Sequence, residues 1–227
     1  MMDSVFERGA YYLMAAPTVK STPDPRVRRT RAERRVQIAE ATLQLVGEFG
    51  VPGTTTARIA EAVGISGPAL YKHFSNRSEI LEAAMDLLQQ RVFSWLDSST
   101  NPDAIERLRE LGTGHVSTIA ADYEGVIAPL FEFVAATPRS HLSEQMGKRQ
   151  RAALQRFIDI VDQGKMQGTI REEVDSKVVA WSLMGLSWIE NFAILEGLDE
   201  FITEGTSARM LDWVLGEIAA PPPEAGN

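Results

Sequence analysis

Residues 53–80 read GTTTARIAEAVGISGPALYKHFSNRSEI, and the spacing inside this stretch decides the fold. Thr54, Thr55 and Thr56 offer an N-cap for a short helix that carries Ile59, Ala60 and Val63. Gly64 ends that helix where a left-handed residue is wanted. Ser66 caps a second helix with Pro68 in its first turn, where a missing N–H costs little. The pattern runs that helix from Gly67 to about Phe74, and Ser75-Asn76 then offers the next cap. Two short helices that cross steeply need a small residue at the crossing, a turn residue that tolerates positive φ, and apolar residues to lock the pair. Ala60, Gly64 and the set Ile59, Val63, Ile65 and Leu70 meet those needs, which predicts a helix-turn-helix. An ordinary helical hairpin has the same outline, and the basic surroundings argue for the DNA-binding form.

Outward from this core, RRVQIAEATLQLVGEFG (34–50) places Ile38, Ala41, Thr42, Leu45, Val46 and Phe49 at spacings of three and four. A helix from about Thr30 is expected, stopped by Gly50 and Val51-Pro52-Gly53. A long helix with Ile80, Ala84, Leu87 and Leu88 begins at Ser75-Asn76 and runs to about Leu96. Further helices are expected over about 102–120, 123–136, 140–166, 175–196 and 204–219, before the breaker Pro221-Pro222-Pro223. No stretch alternates like a strand and no repeat is found, so the fold class is all-α. The chain divides into an N-terminal arm expected to be disordered (1–25, with Met14 a candidate start), a three-helix helix-turn-helix domain (26–78), a larger helical domain (79–220) and a disordered tail (221–227).

Composition narrows the chemistry. The 227 residues include no cysteine, which excludes disulfides, a thiol nucleophile and thiolate zinc sites. His73, His115 and His141 are scattered, so no metal site is expected. No apolar run approaches the roughly 20 residues of a membrane helix, and MMDSVFERGAYYLMAAP is acidic where a signal peptide is basic. A soluble, cytoplasmic protein without a membrane partner is expected. Net charge is −8, yet Lys20 to Arg77 holds ten basic and five acidic residues while the rest holds thirteen and twenty-six. Such asymmetry suggests two jobs, one of which meets a polyanion; a solvated charge run has the same composition.

The run Leu70-Tyr71-Lys72-His73-Phe74 followed by Asn76-Arg77, with the helix before it, resembles the DNA-binding signature of the TetR family of transcriptional regulators over about residues 34–88. GTIREEVDSKVVAWSLMGL (168–186) is more loosely similar to the start of that family's dimerisation region. The resemblance implies that Gly67, Pro68, Tyr71 and Lys72 face bases or the adjoining backbone of double-stranded operator DNA, with Thr56, Ser66, His73 and Arg77 nearer phosphate. Hydroxyls at helix N-termini and cationic side chains suit that assignment, and Phe74 reads as core. Gly67 and Ala69 stand where many relatives carry polar side chains, and Ala57 where some place a base-reading arginine. Specificity would then lean on Lys72, on apolar contact with thymine, and on the arm Arg26-Val27-Arg28-Arg29-Thr30-Arg31 at phosphate or in the minor groove.

In the second half, Val178 to Leu195 is apolar nearly all round, so more than one side must be covered. The resemblance implies a homodimer interface built from this helix and the last one, with Trp181, Trp188, Phe192 and Trp213 as candidates. It also implies a small-molecule effector in an apolar pocket, for which Trp95, Leu108, Leu111, His115, Ile119, Phe131, Phe133, Met184 and Trp188 are candidate walls. His115 is the polar group singled out there, although a satisfied core histidine fits the same pattern. No phosphate loop, nucleophile motif or paired ligand spacing is found, so neither catalysis nor a cofactor is expected. These features point to a ligand-responsive, sequence-specific regulator: a repressor released from a near-palindromic operator by a small lipophilic molecule. A ligand-independent architectural DNA-binding protein and a helical carrier or enzyme that has lost DNA binding are the rivals.

Overall fold

The computed structural model describes residues 30–120, 122–136, 140–198 and 200–221. The expected arm (1–25), the candidate start Met14, the basic residues Arg26 to Arg29, the side chain of Ile119 and the tail after Pro221 lie outside the described residues. From Arg31 onward the chain forms one unit. Its helices are α1 (Arg31–Gly53), α2 (Thr56–Ala62), α3 (Gly67–Leu70), α4 (Arg77–Leu96), α5 (Ala104–His115), α6 (Ala128–Val134), α7 (His141–Gln167), α8 (Ser176–Glu196), α9 (Glu200–Thr203) and α10 (Thr206–Ile218). Two wide π-type turns, Val116–Ala120 and Tyr123–Ile127, link α5 to α6. The fold is all-α; an isolated bridge, Ile170 to Ala219, ties the chain after α7 to the end of α10.

Local chemistry explains most of the boundaries. Side chains of Thr55, Ser66, Asn76, Asp103, Ser140 and Asp175 accept hydrogen bonds from backbone N–H groups at the first turns of α2, α3, α4, α5, α7 and α8. The stop expected at Gly50 is present: this residue sits at φ 69°, ψ 169°, outside the helical region, and only a short turn of α1 follows it. The second helix of the motif is shorter than expected. It ends at Leu70, and the run to Phe74 continues as tight turns, with Lys72 N–H bonded to Ala69 O and His73 N–H to Leu70 O. The helices expected over 102–120 and 123–136 widen into the π-type turns, and α9 was not foreseen.

The buried side chains fall into two clusters. One holds Ile38, Ile59, Ala60, Val63, Leu70, Phe74 and Ile80. The other runs through the larger helical part and includes Leu43, Val46 and Val51 of α1 and everything buried on α4 from Leu81 onward. Helices α1 and α4 thus serve both clusters, and the second half of α1 also packs on α6. A boundary drawn at residue 78 therefore separates neither hydrophobic cluster cleanly.

One expectation is corrected outright. Ser176–Glu196 is long and apolar enough, by length and composition, to cross a membrane. In this fold one side of it is core: Val179, Ala180, Leu183, Leu186 and Ala193 are buried, and so are the polar Glu190 and Asn191. It packs against α7 and α10.

A Cβ placed on Gly50 would lie 2.8 Å from Glu132 Oε2 of α6, in a backbone conformation that side chains rarely adopt. Gly50→Ala should cost about 1–3 kcal/mol, read as a lower urea midpoint at unchanged slope. Gly114→Ala, where a Cβ meets nothing within 4 Å, should be neutral or stabilising by up to about 1 kcal/mol.

Candidate functional site

The two short helices are held in a helix-turn-helix by the residues that the spacing singled out. Ala60 is 4% exposed at the crossing, Ile59 and Leu70 are fully buried, and Gly64 takes φ 68°. Ile65 N–H bonds to Ala60 O at 2.9 Å, which closes the turn. Thr56, Ala57, Glu61, Ile65 and Gly67 line an open hollow between α2 and α3. A Cβ on Gly67 would meet nothing within 4 Å, so that position is flat for want of a side chain and not for want of room. Ser66 uses a hydroxyl lone pair to cap Ala69 N–H at 3.3 Å, and its own proton stays available to an acceptor.

Three arginines around the motif have structural partners. Arg35 of α1 lies over the Phe74 ring at 4.0 Å, donates to His73 O, and meets Glu79 Oε1 at 3.0 Å. Glu79 also accepts from Ser75 N–H at 2.6 Å, and its own N–H is capped by Asn76. The Ser75 bond first, and then Arg35, hold the Glu79 carboxyl below its ordinary range. Arg77 donates to Thr54 O at 2.9 Å and to Val51 O, so it buckles the start of α4 to the loop before α2. Arg58 donates to Gly53 O at 2.8 Å and stacks on Phe49.

The sequence-derived DNA-contact residues therefore divide. Tyr71 (51% exposed), Lys72, Pro68 and Ser66 are at the surface, as is Arg31 at the start of α1. Thr56 and Gly67 share the hollow. Arg77, expected near phosphate, has its guanidinium engaged by backbone carbonyls. His73 keeps a buried Nδ1 without a partner. Burial first, then the charges of Arg31, Arg34, Arg35 and Lys72, lower its pKa, which leaves the ring neutral at pH 7. Arg35 and Glu79 were missed; the partners of Arg35 lie 38 and 44 residues away in the chain, which no local pattern signals, whereas Asn76 and Glu79, three residues apart, carry a local capping signal.

A second site lies in the larger part. Helices α4, α5, α6, α7 and α8 line a small cavity that is open at one side. Trp95, His115, Met184 and Trp188 line it; Leu108, Leu111, Phe131 and Phe133 do not. Leu111 instead supplies the carbonyl that Trp95 Nε1 donates to at 3.2 Å, and Phe131 meets Trp188 edge to face at 5.5 Å. His115 is 2% exposed, its Nδ1 lies 2.6 Å from Glu190 Oε2, and Glu190 Oε1 accepts from Ser207. Glu190, Asn191 and Arg149 were missed. The polar pair at 190–191 inside an otherwise apolar helix was the available signal.

A stripe of apolar residues stays uncovered on α8 and α10: Val178, Trp181, Ile189 and Phe192 on the first, Met210 and Trp213 on the second, with Trp181 68% and Trp213 65% exposed. Trp188, named for this face and for the pocket, is half-buried at the pocket.

A helix-turn-helix followed by a larger helical part is the architecture of DNA-binding transcriptional regulators. Residues 38–84 match the profile of the family described as bacterial regulatory proteins, tetR family, so the helix-turn-helix segment is similar to that family's DNA-binding region. The chain is 28% identical over 162 residues to the HTH-type transcriptional repressor KstR2 of Mycobacterium tuberculosis, covering 69% of this chain and 78% of that one. Among solved structures, a TetR transcriptional regulator from Chloroflexus aurantiacus superposes with TM-score 0.74 at 16% identity, over 84% of this chain and 98% of that one. The regulator FadR of Bacillus subtilis, in complex with stearoyl-CoA, gives 0.65 at 19%, over 80% and 98%. These structural likenesses concern the fold.

Lys72 at the surface and Arg77 bonded to backbone carbonyls should respond differently to truncation. Lys72→Ala should leave stability unchanged and lower the salt dependence of DNA binding by about one unit of log–log slope. Arg77→Ala should destabilise by about 1–3 kcal/mol, because buried carbonyls lose their donor. The depressed Glu79 carboxyl stabilises the fold above the ordinary carboxylate range, and this contribution is lost as pH falls through its lowered value. Urea midpoints measured against pH should drop in acid, and Glu79→Gln should flatten part of that drop. Glu110, held low by Ser99 and Asn101, contributes in the same direction.

Proposed function

We propose that this protein is a cytoplasmic, homodimeric repressor that binds a near-palindromic operator and is released from it by a small lipophilic molecule. The observation that carries the reading is one helix, α4. It begins at the helix-turn-helix, where Asn76 caps it and Arg77 fastens it, and its later turns (Met85, Leu88, Val92, Trp95) wall the cavity. A ligand that prefers one tilt of α4 changes how the two recognition elements of a dimer are spaced, and so changes DNA affinity.

The uncovered stripe on α8 and α10 supports the dimer. Two tryptophans and four other apolar side chains in one band are costly in water and suit a second copy of the same face. A dimer would hold two recognition helices about 34 Å apart, one DNA turn, which matches a palindrome. Around the contact surface, Tyr71, Lys72, Pro68, Ser66, Thr56 and Gly67 are the proposed base and phosphate contacts, with Arg31 at the backbone. The flat surface at Gly67 favours a second reading, an architectural protein with little base discrimination, and the ratio of specific to random binding decides between the two.

Selection of genomic fragments by the purified protein, followed by titration of the enriched site against a scramble at fixed salt, tests the proposal. An enriched near-palindrome bound at least about a thousandfold more tightly than the scramble is expected; weak, salt-sensitive binding without enrichment overturns it. Trp181→Glu combined with Trp213→Glu should yield a monomer in sedimentation equilibrium and lower operator affinity, with helicity retained.

A further inference from the structure

Resting on the reading of the helical part as an effector domain, we propose that its cavity takes an apolar molecule whose polar group is a neutral hydroxyl or carbonyl, and that Asn191 anchors that group. Twelve of the eighteen lining residues are apolar, so the body of the ligand is hydrocarbon. The chemistry of the other six decides the head.

The charged groups of the cavity are already engaged. Arg149 is paired with Asp86 and also donates to Gln145 O at 3.1 Å. His115 is held by Glu190, which Ser207 satisfies in turn. Ser187 donates to Leu183 O within its own helix. What stays available is neutral amide, together with one N–H of Arg149, at Nε, that has no partner among the described residues. Asn191 is 5% exposed and its Oδ1 is fully buried without a partner. Gln150 has only a long contact from Nε2 to Met146 Sδ, 3.6 Å, and Gln89 has no hydrogen bond among the described residues.

A buried amide with no partner is unfavourable until a donor or acceptor reaches it. A hydroxyl supplies both, and a carbonyl accepts from the Asn191 NH2 or from the buried, unpartnered Nε of Arg149. A carboxylate would enter an apolar space where the one nearby cation is already neutralised by Asp86, so its desolvation is poorly offset. The cavity thus selects by the charge of the head as well as by the length of the tail.

The test is calorimetric titration of the full-length protein with four probes of equal chain length: decan-1-ol, decan-2-one, decanoate and decylammonium. The alcohol and the ketone should bind at least about tenfold more tightly than either ion. Asn191→Leu should weaken alcohol and ketone binding about fivefold or more. Asn191→Ala, which removes the amide without adding bulk, repeats the loss where Asn191→Leu does not fold. Decanoate or decylammonium binding as tightly as the alcohol, folded variants that bind like the wild type, or no binding of any probe each overturn the proposal. Operator binding measured on the same preparation separates the two readings. A protein that holds its operator but refuses the neutral probes loses this inference alone, and one that takes the alcohol but selects no operator loses the regulator reading.

Discussion

Helices α1 and α4 pack against each other, and each gives its first turns to one hydrophobic cluster and its later turns to the other. Ile38 and Ile80 belong with the helix-turn-helix, whereas Leu43, Val46, Leu81 and Met85 belong with the larger part. α2 and α3 are seven and four residues long, too short to stand alone in water. They keep their places because Ile59, Leu70 and Phe74 are pressed against this pair, and because Arg35 and Arg77 fasten the ends of the motif to α1, to α4 and to the loop between α1 and α2. The position of the contact surface is therefore set by two helices whose far ends lie in the other cluster.

The electrostatics at this end are more restrained than the residue count suggests. The basic stretch carries an excess of positive charge, but Arg35 faces Glu79, Arg58 lies on Phe49, and Arg77 is turned to backbone carbonyls. Lys72 and Arg31 stand exposed at the motif and at the start of α1, and Arg58, though laid on Phe49, is exposed as well. With Glu61 in the hollow beside Gly67, the surface of the described residues offers a polyanion a few exposed charges and a shape. Binding of DNA to such a surface depends on how firmly the exposed residues are positioned, which returns the weight to Arg35.

Features written in short-range chemistry were legible in the sequence. The caps at Ser66 and Asn76, the stop at Gly50, the small residue at Ala60 and the left-handed Gly64 each follow from a neighbour within four or five positions. The early end of α3 was not, because Tyr71 to Phe74 keep helix-like hydrogen bonds while the backbone leaves the helix. Guanidinium partners were invisible for a different reason: Arg35 and Arg77 reach residues 23 to 44 positions away. The helix α8 shows the limit of periodicity. A segment apolar nearly all round does not say which side is core, and the fold turned Trp188 to the cavity and left Trp181 outside.

The buried pair at 190 and 191 bears on how the two ends of the molecule could communicate. Glu190 joins α8 to α5 through His115 and to α10 through Ser207, while the buried Oδ1 of Asn191, the next residue, has no partner among the described residues. His115 is the last residue of α5, at the point where the chain widens into the first π-type turn, and it touches Trp95 near the end of α4 at 4.9 Å. Filling the cavity near Asn191 would thus bear on Trp95 and Leu88 of α4 and on the helix that carries the exposed stripe. Interiors packed this tightly respond by shifting whole helices instead of deforming evenly. A ligand seated there acts on the contact surface only to the extent that it binds one position of α4 better than another, and the same helix carries Glu79, against which Arg35 is set.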